Sequence, residues 1–226
     1  MKKIIFTNTL HSENNFHVPK PAIYCLPEWY KKTPSYLAES KKFETETIKK
    51  CVPVFDALTS GYIIFSYCDV LIETDENNNK VVTSGLGGAI ERHSNKQFFL
   101  HPKSKEQQDA LKFVNVWSIK TPKNYSCLVI NPFHKSNVFT ILEAIVDTDR
   151  YNLPINLPFL LDDFTFNGLI PAGTPIAQII PFKRDSWKME FGTEAEENKI
   201  QFENTRLHSI LKSKYKNLYH EKKDYK

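Results

Sequence analysis

The chain has 226 residues, of which 41% are hydrophobic and 25% are charged, the balance of one globular domain with some additions. A net charge of +4 is too small to predict nucleic-acid binding, and only seven glycines argue against a glycine-rich phosphate loop. No apolar run approaches the length of a membrane span. The four cysteines form no CxxC pair, so no zinc knuckle is predicted. We therefore expect a soluble protein with reduced cysteines, located in a cytoplasm.

Residues 1–50 are predicted to form an extended N-terminal arm that packs on the core. Four prolines interrupt this stretch, and proline ends regular elements because it lacks the N–H group and fixes φ. Within the arm, Trp29 and Tyr30 are two large aromatic residues between prolines. They either pin the arm to the body, the commoner role, or anchor a partner, as Trp and Tyr often do at interfaces.

The core, residues 51–187, is predicted to be mainly β. Short runs of β-branched and aromatic residues recur between turn residues. The predicted strands cover 61–67, 69–74, 80–84, 116–119, 125–130, 139–142, 144–146, 155–159, 164–166, 169–170 and 175–180. A short helix is expected over 103–111. Many short strands at even spacing predict a distorted β-barrel, a β-clip or a jelly-roll-like core.

The remaining residues, 188–226, are predicted to form a linker and a C-terminal helical tail. From Asn204 onward, apolar residues recur at spacings of three and four, which indicates a helix with one apolar stripe. The stripe consists of Leu207, Ile210, Leu211, Tyr215 and Leu218. We expect this stripe to pack on the body or on a neighbouring subunit.

Three segments of the core, in order, resemble the dUTPase and dCTP-deaminase family, which has a β-clip fold. Residues 60–72 resemble its opening segment, with Ile63 where the family has Asp. Residues 144–151, Ala-Ile-Val-Asp-Thr-Asp-Arg-Tyr, are similar to the family's Gly-Val-Ile-Asp-x-Asp-Tyr-Arg-Gly. Residues 164–180 resemble its closing strand pair. The resemblance implies that Asp147 is the catalytic carboxylate if the protein is hydrolytic.

The same resemblance implies a nucleotide pocket, formed between subunits of a trimer. Its expected ligand-binding residues are His134, Lys135, Ser136, Asp149, Tyr151 and Gln178, with Mg²⁺ as the cofactor if a nucleotide binds. The family's arginine-containing phosphate loop is replaced here by Asn-Pro-Phe-His-Lys-Ser, residues 131–136. The arginine fork is therefore missing, as is the family's glycine-rich closing motif. These departures predict nucleotide binding with hydrolysis lost or altered.

Two other classes of function remain open. Most of the chain also resembles proteins of tailed phages of marine bacteria, carried by residues 52–62, 125–128 and 180–187, and this implies a viral origin without an activity. The protein would then be a structural or interaction protein of a phage particle or host-takeover complex, in the virion or the host cytoplasm. The arm around Trp29 and Tyr30 and the C-terminal tail would dock phage proteins.

The other class is an iron- or zinc-dependent enzyme in a jelly-roll barrel. Its ligands would be His93, His101 and His134, with Asp147 or Asp149. No HxD or HxxxH spacing supports such a site, so no metal residues are assigned.

Overall fold

The structure is a computed structural model that describes residues 2–10, 17–40, 43–77, 79–98, 101–102, 109–208 and 215–226. Its strands are β1 Ile5–Asn8, β2 Lys20–Pro21, β3 Tyr36–Ser40, β4 Phe43–Glu46, β5 Tyr62–Phe65, β6 Val70–Thr74, β7 Lys80–Ser84, β8 Ile90–Ser94, β9 Asp109–Phe113, β10 Trp117–Lys120, β11 Tyr125–Ile130, β12 Phe139–Ile141, β13 Ala144–Val146, β14 Leu157–Leu161, β15 Gly168–Ile170 and β16 Pro175–Lys183. Its α-helices are α1 Glu28–Lys32, α2 Val52–Thr59 and α3 Glu194–His208. The 3-10 turns are Ala22–Cys25, Ile48–Lys50 and Asn95–Phe98, and Tyr215–Tyr219 is π-helical.

The chain divides into two compact units. The first contains Met1–Pro27, Leu58–Lys183 and Tyr225–Lys226, and the second contains Glu28–Ala57 and Arg184–Asp224. No helix among the described residues is long and apolar enough to cross a membrane.

The first unit is built from antiparallel sheets. Its largest sheet has the order β13-β11-β16-β5-β2, and the others have the orders β12-β14-β9-β8, β15-β6-β7 and β1-β10. In the described part of the chain, none of these sheets closes into a barrel. The prediction of a mainly β fold with a C-terminal helix is confirmed. Of the predicted alternatives, the described sheets match an open β arrangement rather than a closed barrel.

The hydrophobic core of the first unit draws on most of these strands. In β6, Val70 and Ile72 are fully buried whereas Leu71 is only partly buried, the two-residue period of a strand with one buried face. The centre of the core is an aromatic cluster in which the Phe159 ring stacks on Phe113 at 4.3 Å and meets Phe139 at 5.3 Å. Such offset contacts add to the stabilisation from burial itself.

The turn between β15 and β16 is held by the segment that precedes β6. Gly173 has a φ of +81°, which the third position of this tight turn requires. The Asp69 carboxylate accepts the N–H of Ala172 at 2.7 Å, and the Ser66 N–H donates to the carbonyl of Thr174 at 2.8 Å. The closing strand pair, which carries part of the family resemblance, is therefore fixed by residues a hundred positions earlier.

Four elements differ from the predicted ones. Residues 109–111 of the predicted helix belong to β9, and 103–108 lie outside the described residues. Residues 164–166 form a turn closed by an N–H···O=C bond from Phe166 to Asp163, not a strand. Helix α2 lies at the start of the core, where no element was predicted. The C-terminal helix begins at Glu194, ten residues before the predicted start, while Ile210 and Leu211 lie outside the described residues.

In the second unit, Tyr30 and Trp29 have different surroundings. Tyr30 is 3% exposed, and its ring stacks on Phe55 at 6.3 Å, so it is a packing residue within this unit. Trp29 is 43% exposed. Near the C-terminus, Lys223 and His220 bond the Asp56 carboxylate at 2.7 and 3.1 Å. Burial raises the pKa of Asp56, but these two bonds outweigh burial and hold that pKa below its usual value.

Candidate functional site

The turn that carries Asp147 follows the edge strand β13 directly. The main-chain carbonyl of Asp147 accepts the N–H groups of Arg150 and Tyr151, both at 2.9 Å, which closes one turn over residues 147–151. The carboxylate of Asp147 is exposed and accepts the Ser126 hydroxyl at 2.6 Å. Ser126 lies in β11, which pairs with β13. The carboxylate is therefore oriented by the neighbouring strand rather than placed in a buried pocket.

The next two residues fasten this turn to the loop before β11. Thr148 is fully buried, and its hydroxyl lies 2.7 Å from that of Thr121. The Asp149 carboxylate accepts the N–H of Asn124 at 2.8 Å, where the chain takes a φ of +69°. Asp149 thus caps a strained turn, which is a structural use of a residue predicted to bind ligand.

The largest of the clefts described in the first unit has a volume of about 700 Å³, and we name it the tyrosine cleft. Its lining residues are Thr9, Leu10, Tyr67, Leu86, Gly87, Gly88, Val114, Asn115, Val116, Tyr151, Leu153, Pro154 and Asn156. Tyr151 is 44% exposed at its rim. Burial, together with the neighbouring Cys68, raises the pKa of Tyr67 to about 12, so this phenol keeps its proton at neutral pH.

Two polar residues that line the tyrosine cleft are bonded to the main chain beside it. Asn115 is 4% exposed; its amide nitrogen donates to the Trp117 carbonyl at 2.8 Å and its oxygen accepts the Trp117 N–H at 3.2 Å. Thr9 bonds the carbonyl of Val116 through its N–H at 2.9 Å and its hydroxyl at 3.0 Å. Both side chains are thus oriented by the protein itself.

A second cleft, of about 400 Å³, contains three consecutive residues predicted to bind ligand, and we name it the His134 cleft. It is lined by Asn131, Pro132, His134, Lys135, Ser136, Asn137, Phe139, Thr140 and Asp162. The loop turns tightly, since Lys135 N–H donates to the Pro132 carbonyl at 3.2 Å and His134 has a φ of +54°. The Thr140 hydroxyl donates to Asp162 at 2.5 Å, which puts a carboxylate in the same cleft as Lys135.

Gln178 bonds the loop that carries His134, Lys135 and Ser136. The side chain is 1% exposed and lies in the middle of β16. Its amide nitrogen donates to the Ser60 carbonyl at 2.6 Å, and its oxygen accepts the Phe133 N–H at 3.0 Å. The amide therefore joins two loops within this chain.

The structure thus brings together some of the predicted site residues and separates others. His134, Lys135 and Ser136 share one cleft, whereas Tyr151 lines the other, and no described residue lines both. Asp147 lies in the same turn as Tyr151 but is not a lining residue of the tyrosine cleft.

Nothing in the described part of the chain supports the predicted alternative of a histidine metal site. No three His, Cys, Asp or Glu side chains are grouped there so as to hold a metal. His93 bonds Gln97 at 2.6 Å, while His101 and His134 line different clefts.

Sequence reasoning missed most of the tyrosine cleft. Its walls come from segments far apart in the chain, such as Thr9, Tyr67, Val116 and Leu153, and only Tyr151 was singled out. The available signal was weak: Gly87 and Gly88 marked a loop, and Leu153 is an apolar residue that follows Tyr151 closely in a polar stretch.

No protein-family model matches this chain, and no curated protein matches it. Two solved structures of phage dUTPases are similar to it. The first is a mutant dUTPase from phage phi11 of S. aureus, described for its coordination of a structural Mg(II) ion; the match has 12% identity and a TM-score of 0.38 and covers 86% of this chain and 99% of that one. The second is a mutant dUTPase of Staphylococcus bacteriophage 80alpha with dUpNHpp, with the same identity and TM-score, covering 85% of this chain and 89% of that one. At these TM-scores the likeness carries no conclusion about the fold or the function of this chain.

Proposed function

We propose that this protein is a dUTPase-like β-clip protein that binds a nucleotide or a similar small ligand, with hydrolysis lost or altered. The observation that supports binding most directly is the tyrosine cleft. Its volume of about 700 Å³ is that of a small-molecule site, and it presents the aromatic side chains of Tyr67 and Tyr151. An aromatic ring that stacks on a nucleobase contributes roughly 1 to 3 kcal/mol to binding.

The loss or alteration of hydrolysis is supported by the phosphate-recognition residues. An arginine binds phosphate with two parallel hydrogen bonds, whereas a lysine offers a point charge on a flexible stem. In the His134 cleft, Lys135 is the cation among the described lining residues, and Asp162 shares that cleft with it. A carboxylate there repels a phosphate, so Mg²⁺ would be needed to offset the charge. Asp147 is the catalytic carboxylate if any hydrolysis is retained.

Tyr151→Ala is expected to weaken ligand binding about tenfold or more while leaving the melting temperature of the free protein unchanged. Tyr151 is 44% exposed, so its removal costs little stability, but it takes one stacking surface from the cleft. The measurement is the thermal shift of the purified protein with a panel of nucleosides and nucleotides, with and without Mg²⁺. A ligand at a hundred times its dissociation constant stabilises a protein by roughly 2.7 kcal/mol.

Tyr24→Ala is the matched control, because Tyr24 is 74% exposed in the same unit and does not line the cleft. This variant should retain the wild-type shift. A panel without any shift, or equal shifts for the two tyrosine variants, contradicts binding in this cleft.

A second candidate function, that of an interaction protein of a phage particle or host-takeover complex, is favoured by the segment after β16. Trp187, Met189 and Phe191 are 91%, 80% and 88% exposed. Every residue of α3 from Glu194 to Asn204 is also exposed. A 15-residue helix whose residues 194–204 are all exposed gains little from packing and is marginal in water, so both elements are suited to order on a partner. We propose a second copy in a homo-oligomer, such as a trimer, or a phage protein in the virion or host cytoplasm.

If the partner is a second copy, the double variant Trp187→Ser, Phe191→Ser should dissociate the oligomer. Loss of two aromatic anchors is expected to weaken association at least about tenfold, since interface anchors commonly contribute roughly 2 kcal/mol or more. Sedimentation velocity over a concentration series measures this. Ile145→Ser, at a residue that is 65% exposed in the first unit, is the control. Equal masses for wild type and double variant argue against this surface as the homo-oligomer contact.

A further inference from the structure

We infer that the tyrosine cleft prefers an uncharged nucleoside or free base over the corresponding nucleoside triphosphate. This inference rests on the proposed binding function of the same cleft and names the class of ligand. The sequence predicted one pocket for the whole nucleotide. The inference instead assigns recognition of the nucleobase to the tyrosine cleft and leaves phosphate outside it.

The lining of the tyrosine cleft is the first observation. Its described residues include no Lys, Arg, His, Asp or Glu. A phosphate placed there would lose hydration without gaining a cation, and removing an unpaired anion from water is costly. A planar, neutral ring loses only weak hydration and gains contact with two aromatic side chains.

The polar groups of the cleft are the second observation. Asn156 is exposed, and its amide can donate to and accept from the edge of a base. Tyr67 is a phenol, which is neutral at physiological pH, and burial raises its pKa further, to about 12. The amide of Asn115 is already engaged with the main chain of Trp117. What the cleft offers a ligand is therefore uncharged hydrogen-bonding groups beside apolar surface.

The location of the charges is the third observation. Lys135 and Asp162 line the His134 cleft, which shares no described residue with the tyrosine cleft. Within one copy of the chain, a ligand in the tyrosine cleft is thus lined by different residues from those of the His134 cleft that could meet a phosphate.

The test compares each deoxynucleoside with its own triphosphate by isothermal titration calorimetry, in the presence and absence of Mg²⁺. We expect at least one nucleoside to bind about tenfold or more tightly than its triphosphate. If the triphosphate binds more tightly, this inference is overturned while the proposed binding function stands. If neither class binds, the proposed function itself fails.

Leu153→Lys locates the site. Leu153 is 62% exposed in the lining of the cleft, so a lysine there can place its ammonium group at the rim without disturbing the core. The ratio of triphosphate to nucleoside affinity should rise about fivefold or more at low ionic strength. The control Ile145→Lys adds the same charge at a residue that is 65% exposed outside the cleft, and it should leave the ratio unchanged. An unchanged ratio in Leu153→Lys overturns the assignment to this cleft.

Discussion

Gly61→Ala is expected to lower the free energy of unfolding by about 4 kcal/mol or more, an exceptionally large effect for the addition of one methyl group. Gly61 precedes β5 and has a φ of +70°, a conformation that side chains disfavour. A Cβ atom at this position would overlap the carbonyl oxygen of Ile179 and press on the main chain of Ile180. These are backbone atoms of β16, the central strand of the five-stranded sheet, and they cannot move without breaking its pairing.

Urea unfolding followed by circular dichroism measures this difference. The matched control is Gly87→Ala, where an added Cβ meets no atom within 4 Å and φ is not in the left-handed region. That variant should lie within about 0.5 kcal/mol of wild type. Equal stabilities for the two alanine variants would mean that β5 and β16 do not approach each other as described.

Gln178→Leu is expected to lower the free energy of unfolding by about 2 kcal/mol, because a buried side-chain amide loses two hydrogen bonds to the main chain, each worth roughly 1 kcal/mol. The leucine fits the volume but cannot bond the Ser60 carbonyl or the Phe133 N–H. Because both groups lie in loops at the end of the sheet, we also expect faster hydrogen exchange at the N–H of Phe133.

The same variant separates two roles for this residue. If Gln178 contacted ligand directly, the variant would lose ligand affinity with little change in stability. The internal bonds instead predict a loss of stability with little change in ligand affinity. Asn152→Leu, at an exposed residue of the same unit, is the control and should change stability by less than about 0.5 kcal/mol. A Gln178→Leu protein as stable as this control contradicts the role of the amide in joining the loops.

Much of the sheet structure could be predicted because the residue types that favour strands also occupy strands in the folded protein. The run Tyr125–Ile130 is β-branched and aromatic between turn residues, and it forms β11 with those bounds. The hairpin of β6 and β7 followed from its polar turn. Helix α2 was missed because Val52, Val54 and Phe55 are residue types that favour strands. Pro53 was the available signal for a helix, since proline is well tolerated in the first turn.

The candidate site was less predictable than the strands. The resemblance identified the turn of Asp147 and Tyr151, since those residues are close in sequence and linked by their own main-chain bonds. It did not identify Tyr67 or Asn115, because a cleft depends on how distant segments meet. It also assigned Gln178 and Asp149 to a ligand, where the structure gives each a hydrogen bond inside the protein.

The position of β16 in its sheet has a consequence for synthesis of the chain. This strand lies between β11 and β5, both of which come much earlier in the sequence, yet it is the last strand of the first unit to be translated. A nascent chain that ends before residue 183 therefore exposes the facing edges of both neighbours, and such edges invite pairing with other chains. With so many contacts between distant residues, folding is expected to take milliseconds to seconds after release from the ribosome. Chains stalled or truncated shortly before β16 should accordingly aggregate rather than accumulate as a folded fragment.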